Sequence, residues 1–202
     1  MFENVDLNFI LAVVIAYLLG SISPSILLAR AQGIDIKKEG SGNAGTTNTL
    51  RVLGKKAAAI TLLIDVGKGI LAVSIAYLIS TPEAAMVSAL TVFLGHVWPI
   101  YYKFKGGKGV AVAFGAILRL NWQIALMMLV LIILVVLITG MVSFGSIAVA
   151  IAFPITCWFM FREFFPISLI MALIVLLKHS SNIKRVINHE ENQIDLSKLF
   201  KR

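Results

Sequence analysis

The chain has 202 residues, of which 59% are hydrophobic and only 14% charged, where soluble domains carry about 25% charged residues. Its mean hydropathy of +0.93 excludes an ordinary soluble domain. The net charge of +8 is confined to short segments between apolar runs, which disfavours nucleic acid as a partner and fits the orientation bias of membrane loops.

In chain order, Leu7 to Ala29 is uncharged and long enough for a membrane span, which takes roughly 20 residues. Glu3 and Asp6 precede it with no basic residue, so it reads as a retained helix rather than a cleaved signal. A polar, cationic segment follows to residue 56. The pattern then predicts helices at 57–80, 84–102, 106–120, 122–139, 142–161 and 164–178, which with 7–29 makes seven. Leu120 to Phe161 is one uncharged run of 42 residues and must hold two spans. Asp65 and Lys68 stand at i, i+3 inside the second helix, where charges either pair or meet a ligand. The single cysteine, Cys157, lies in an apolar run and reads as core packing.

With seven spans, the segments 30–56, 103–108 and 178–202 share one face and hold six, three and six cations, while the other face has only Arg119 and Arg162. The positive-inside rule then puts the N-terminus outside and the C-terminus in the cytoplasm. No repeat or linker divides the chain, so 1–202 reads as a single multi-span membrane domain. The expected fold is therefore an all-α integral membrane protein of seven transmembrane helices.

Three polar segments carry the chemistry. The first, Ser41-Gly42-Asn43-Ala44-Gly45-Thr46-Thr47-Asn48, is followed by Arg51. Its glycines let several backbone N–H groups face one anion, and a helix starting near Thr46 would add its positive end. The alternative for such a composition is a flexible linker. The second, Lys105-Gly106-Gly107-Lys108-Gly109, offers similar phosphate chemistry. It is not a nucleotide P-loop, because Gly109 stands where a magnesium-binding hydroxyl is required. Upstream, Trp98, Tyr101 and Tyr102 read as an interfacial aromatic belt. In the third, Lys178 to Arg185, His179 and Asn182 share one helix face at i, i+3; a solvated boundary histidine is the bland alternative. His189, beside Glu190 and Glu191, reads as a surface residue. No Ser-His-Asp set and no metal-ligand spacing occurs, so neither metal nor cofactor is expected.

Three stretches, SGNAGTTNTLRVLG (41–54), GHVWPIYYKFKGGKGVA (95–111) and KHSSNIKR (178–185), resemble the bacterial acyl-phosphate:glycerol-3-phosphate acyltransferases. The resemblance spans nearly the whole chain, and the Asp65-Val66-Gly67-Lys68-Gly69 stretch also resembles the family's second helix. The chain departs from the family pattern at Val112, where a threonine is usual, and at His189, where a glycine is usual; the nearby glutamate is kept as Glu191.

The resemblance implies a multi-pass enzyme of the bacterial inner membrane whose active site opens to the cytoplasm. It would move a fatty acyl group from acyl phosphate to the sn-1 hydroxyl of glycerol 3-phosphate, giving lysophosphatidic acid and phosphate. Ser41, Arg51, Lys108, His179 and Asn182 are then the expected catalytic residues. Gly42, Asn43, Gly45, Thr46, Thr47, Asn48, His96, Gly106, Gly107 and Gly109 are the expected substrate-binding residues. Either His179 or the donor's own phosphate would take the proton. Partners would be the two substrates and the bilayer, with no nucleic acid and no obligatory protein. The H-x-x-x-x-D motif of the other glycerolipid acyltransferases is missing after His96, His179 and His189, which weighs against a coenzyme A donor. A membrane transporter for an organic phosphate is the rival, though it lacks the repeats and midplane polar groups such proteins show.

Overall fold

The computed structural model describes residues 5–193, and these form nine α-helices with single 3-10 turns at Ile100–Tyr102 and Arg162–Phe164. The chain divides into two compact units, Met1–Trp122 and Gln123–Arg202.

In the first unit, α1 (Leu7–Ser21) starts at Asp6, whose Oδ1 accepts from the Phe9 N–H at 2.8 Å. It stops at Ile22 because Pro24 opens α2 (Pro24–Arg30), and a residue ahead of proline disfavours the helical region. The expected helix over 7–29 is thus broken in two. α3 (Thr46–Ile79) begins well before the apolar run expected at 57–80 and takes in the end of the first polar segment. It kinks at Gly54, where φ is +83°, a conformation open to glycine and strained for other residues. α4 (Pro82–Val97) starts on the Thr81 hydroxyl and Pro82. α5 (Val110–Leu120) starts four residues later than expected and has only 11 residues, about 16 Å of helix against a hydrocarbon core of about 30 Å.

Small residues set the helix crossings, as they do where lipid supplies no hydrophobic force between helices. A Cβ on Gly20 of α1 would collide with the Val92 carbonyl of α4, and one on Gly95 of α4 with the Tyr17 carbonyl of α1. Gly69 of α3 meets Val112 and Gly115 of α5 meets Val66 in the same reciprocal way. Ala12, Ala16 and Gly20 line the buried stripe of α1, while Leu7, Ile10, Leu11, Val14 and Leu18 stay exposed, as a lipid-facing surface would.

In the second unit, α6 (Trp122–Thr139) and α7 (Val142–Met160) divide the long uncharged run at Gly140, where φ is +71°. α8 (Phe165–Lys178) continues after a 56° bend at His179 into α9 (Ser180–Ile187), a helix not anticipated from the apolar pattern because its sequence is polar. Cys157 is buried.

The chain is an all-α, multi-pass integral membrane protein. By length and composition five segments can cross a bilayer (Leu7–Arg30, Thr46–Ile79, Pro82–Tyr102, Trp122–Thr139 and Val142–Met160), or six if the bent pair α8–α9 is one span.

Candidate active site

The loop between α2 and α3 is a packed structure, not a flexible linker. Ile36 and Ala44 are buried with Ile26 and Ala29 of α2, and Val52, Leu53 and Tyr102 close over them. Asn48, on the first turn of α3, is 1% exposed and uses its whole amide to hold the loop. Its Oδ1 accepts from the Ser41 N–H at 2.8 Å, and its Nδ2 donates to the carbonyls of Glu39 at 3.0 Å and Ile36 at 3.2 Å. A neutral side chain that meets two carbonyls and an N–H at once needs an amide.

What this leaves at the start of α3 is an open helix end. Gly45 is the N-cap and provides no capping side chain, so the first-turn N–H groups lack intrahelical acceptors. The Thr46 hydroxyl is buried with no hydrogen-bond partner among the described residues. Thr47 and Arg51 stand at i, i+4 on one face; Arg51 is exposed and makes no hydrogen bond or ion pair with the described residues. Lys37 from the same loop donates to the Tyr102 carbonyl at 3.5 Å. Burial lowers the Lys37 pKa; Asp35 opposes this, and Lys105 and Arg30 add to it. Over 30–56 six cations stand against Asp35 and Glu39, a net positive field suited to an anion.

The second polar segment lies against the end of α4. The Gly106 N–H donates to the Val97 carbonyl at 3.2 Å and the Gly107 N–H to the His96 carbonyl at 3.1 Å, so these two donors serve the fold. The glycines are there for close approach. A Cβ on Gly107 would strike His96 Nε2 and lie 2.6 Å from the Ala44 carbonyl, and one on Gly109 (φ +84°) would strike the Phe93 ring. The first and second segments are thereby brought together at Ala44, His96 and Gly107, with Lys108 half-buried next to them in sequence.

Beneath that junction is a buried ionic cluster. Lys68 Nζ reaches the Ile22 carbonyl at 2.7 Å and His96 Nδ1 at 3.0 Å. Asp65 Oδ1 lies 2.8 Å from Lys68 Nζ and 3.3 Å from His96 Nδ1, an ion pair by distance rather than an aligned hydrogen bond. Ile22 is the break between α1 and α2, so Lys68 also satisfies a carbonyl at that break.

The third polar segment belongs to the second unit. His179, 3% exposed, places Nδ1 at 2.8 Å from the Val175 carbonyl. A carbonyl only accepts, so Nδ1 carries a proton, and in a neutral ring the lone pair would then sit on Nε2. Asn182 Nδ2 donates to Glu191 Oε1 at 2.9 Å; Ser143 Oγ donates to the same oxygen at 3.0 Å, and Arg185 Nε to Oε2 at 2.8 Å. Glu191 thus organises the segment, a role its position in an exposed-looking acidic pair hid. The clue in the sequence was the resemblance, whose glutamate is kept as Glu191; the partners of that carboxylate were not readable from spacing.

Residues 10–189 match the glycerol-3-phosphate acyltransferase family. The chain belongs to that family. It is 42% identical to the glycerol-3-phosphate acyltransferase of Photorhabdus laumondii over 90% of this chain and 84% of that one. It is 44% identical to that of Citrobacter koseri over 90% of both chains. Its fold is similar to crystal structures of PlsY (YgiH), an integral membrane glycerol 3-phosphate acyltransferase. The glycerol 3-phosphate form superposes with a TM-score of 0.89 at 30% identity, covering 96% of this chain and 99% of that one. The lysophosphatidic acid form gives 0.86 over the same shares. As a family member the chain is a membrane acyltransferase, and a transporter reading no longer stands beside it.

Proposed function

We propose that the chain transfers a fatty acyl group from acyl phosphate to the sn-1 hydroxyl of glycerol 3-phosphate, releasing lysophosphatidic acid and inorganic phosphate. The observation that carries this is the similarity, over nearly the full chain, to a structure in its glycerol 3-phosphate form. The donor assignment rests on the chemistry of the residues: an acyl phosphate is a mixed anhydride and needs no nucleophilic side chain to activate it. The acceptor oxygen attacks the carbonyl carbon, the bond from that carbon to the phosphate oxygen breaks, and the phosphate leaves with its electrons.

Two phosphate groups must then be held with the hydroxyl on the carbonyl carbon, which is catalysis by proximity. Arg51 suits a bidentate clamp on one phosphate and Lys108 a point charge on it. The open start of α3, with Gly42, Asn43, Gly45, Thr46, Thr47 and Asn48 shaping it, suits the other. Gly106, Gly107 and Gly109 permit backbone approach, and Ser41 and Asn182 orient hydroxyls. His179 accepts the proton from the attacking hydroxyl; the contact of its Nδ1 with the Val175 carbonyl supports this by leaving the lone pair on Nε2.

The charge distribution supports seven membrane segments with the N-terminus outside and the C-terminus in the cytoplasm. In that arrangement the whole chain works as one domain of the inner membrane, and the three polar segments face the cytoplasm. The experiment that tests the function is phosphate release from palmitoyl phosphate by the purified chain, with and without glycerol 3-phosphate. Release that requires the acceptor and yields lysophosphatidic acid is expected; release indifferent to it would sink the proposal.

A further inference from the structure

Tyr102 is the meeting point of three cations, none of them assigned to a substrate. Arg30, at the end of α2, has its guanidinium carbon 5.4 Å from the centre of the Tyr102 ring. Lys37 Nζ donates to the Tyr102 carbonyl at 3.5 Å, and the main-chain N–H of Lys105 donates to the same carbonyl at 3.2 Å. The charged groups that act on Lys37 are Arg30, Lys105 and one carboxylate, Asp35. Asp35 Oδ1 accepts from the main-chain N–H of Lys37 at 3.1 Å, and its side chain makes no ion pair with these cations.

The donors left over suit a phosphate. A guanidinium that meets a ring with its face keeps the N–H groups along its edges, where they can bind two oxygens side by side. Lys37 has used one N–H of its three. The Lys105 side chain is exposed and makes no hydrogen bond or ion pair with the described residues.

What surrounds these donors suits an acyl tail. Leu27, one turn before Arg30 on α2, is exposed, and so are Tyr101 and Phe104 in the turn that carries Tyr102. That turn holds Lys103 and Phe104 at φ +55° and +57°, a conformation strained for residues with a side chain. In a membrane protein such apolar surface meets lipid chains, and basic clusters beside the spans meet anionic headgroups. We infer that Arg30, Lys37 and Lys105 form a binding site for the phosphate of an anionic phospholipid, whose acyl chains run along Leu27, Tyr101 and Phe104. Charge that only orients the chain has no such requirement, because the positive-inside rule counts cations and is indifferent to their geometry.

The test is a titration of the purified chain in nonionic detergent with phosphatidylglycerol and with phosphatidylcholine of the same acyl chains, bound lipid being counted by native mass spectrometry. One phosphatidylglycerol held in preference to phosphatidylcholine is expected, and equal binding of the two overturns the inference. Arg30→Gln should weaken the preferred lipid about fivefold. Arg30→Lys should weaken it nearly as much, since lysine keeps the charge and loses the planar fork. Lys105→Gln should match Arg30→Gln, and its exposed position keeps the test decisive if the α2 variants fold poorly. Lys38→Gln, an exposed neighbour outside the cluster, should change nothing. Full binding in Arg30→Lys, or a loss in Lys38→Gln equal to that in Arg30→Gln, would mean diffuse attraction and overturns the site. Inorganic phosphate, exchanged for chloride at constant ionic strength, should leave the lipid bound. Displacement by it would assign the cluster to free phosphate and overturn the lipid as its ligand. None of these readouts depends on acyl transfer.

Discussion

His189 sits at φ +58°, just beyond the C-terminus of α9. Its N–H donates to the Val186 carbonyl at 3.2 Å, and the Glu190 N–H to the Arg185 carbonyl at 2.7 Å. This is the Schellman ending, in which the left-handed residue is usually glycine, and the family's preference for glycine at this place follows from it. The turn brings Glu191 back onto Ser143, Asn182 and Arg185. His189→Gly should therefore stabilise the chain by up to about 1 kcal/mol, seen as a higher Tm in detergent with activity retained. Burial pushes the Glu191 pKa up, but hydrogen bonds from Asn182, Arg185 and Ser143, with the charge of Arg185, outweigh it and leave the pKa below the ordinary value. A carboxylate depressed in the folded state contributes stability above its unfolded pKa and loses it as pH falls through the folded one. The wild-type advantage in Tm over Glu191→Gln should thus be full at neutral pH and shrink below about pH 4. Equal Tm for both at neutral pH would contradict this. For His179, general-base catalysis predicts that His179→Gln lowers kcat by about a hundredfold or more. A loss under tenfold would instead favour proton transfer to the donor's own phosphate.

At the scale of elements, the pairing of α3 with α5 depends on two glycines, Gly69 and Gly115, each against a carbonyl of the other helix. α5 is N-capped by Gly109, the residue after Lys108, so its seat on α3 also fixes Lys108. Gly115→Val puts side-chain carbons where the Val66 carbonyl lies, and overpacking of this kind costs about 1–3 kcal/mol. The expected result is a lower Tm together with a raised KM for glycerol 3-phosphate, because Lys108 shifts with the helix. A lower Tm with KM unchanged would separate helix packing from the site. These contacts separate what the sequence displays from what it hides: the polar residues of the second segment cluster along the chain, and Asp65 pairs with Lys68 at i, i+3, but the approach of His96 to that pair does not appear in it. Gly106, Gly107 and Lys108 stand together in the sequence. His96 comes from another helix, and only the α3–α4 packing shows that it meets Lys68 and Asp65. Asn48 illustrates the reverse case, since its donor-rich neighbourhood pointed to ligand binding while the fold employs its amide to hold the loop.

For the whole molecule, hydropathy and charge settle the membrane class but leave the number of crossings between the five or six segments the helices support and the seven the cation count favours. The difference lies in α5 and the α8–α9 pair, because these are the helices too short or too bent to span by length alone. In a Cys157→Ser background, Val5→Cys should react with an impermeant thiol reagent on intact cells, while Lys38→Cys and Lys103→Cys react only after permeabilisation. Labelling of Lys38→Cys from outside would overturn the proposed orientation.

The sequence by itself determined the all-α membrane class, because a bilayer forces any uncharged run of some twenty residues into a helix, and it marked the three polar segments, because their residue types cluster along the chain. The tertiary structure decided which of those polar atoms are already committed to the fold. Asn48, the N–H groups of Gly106 and Gly107, and Glu191 hold backbone or neighbours in place, and Lys68 holds the Ile22 carbonyl at the break between α1 and α2. Such commitments depend on contacts between residues far apart in sequence, where spacing carries no information and only packing distances do.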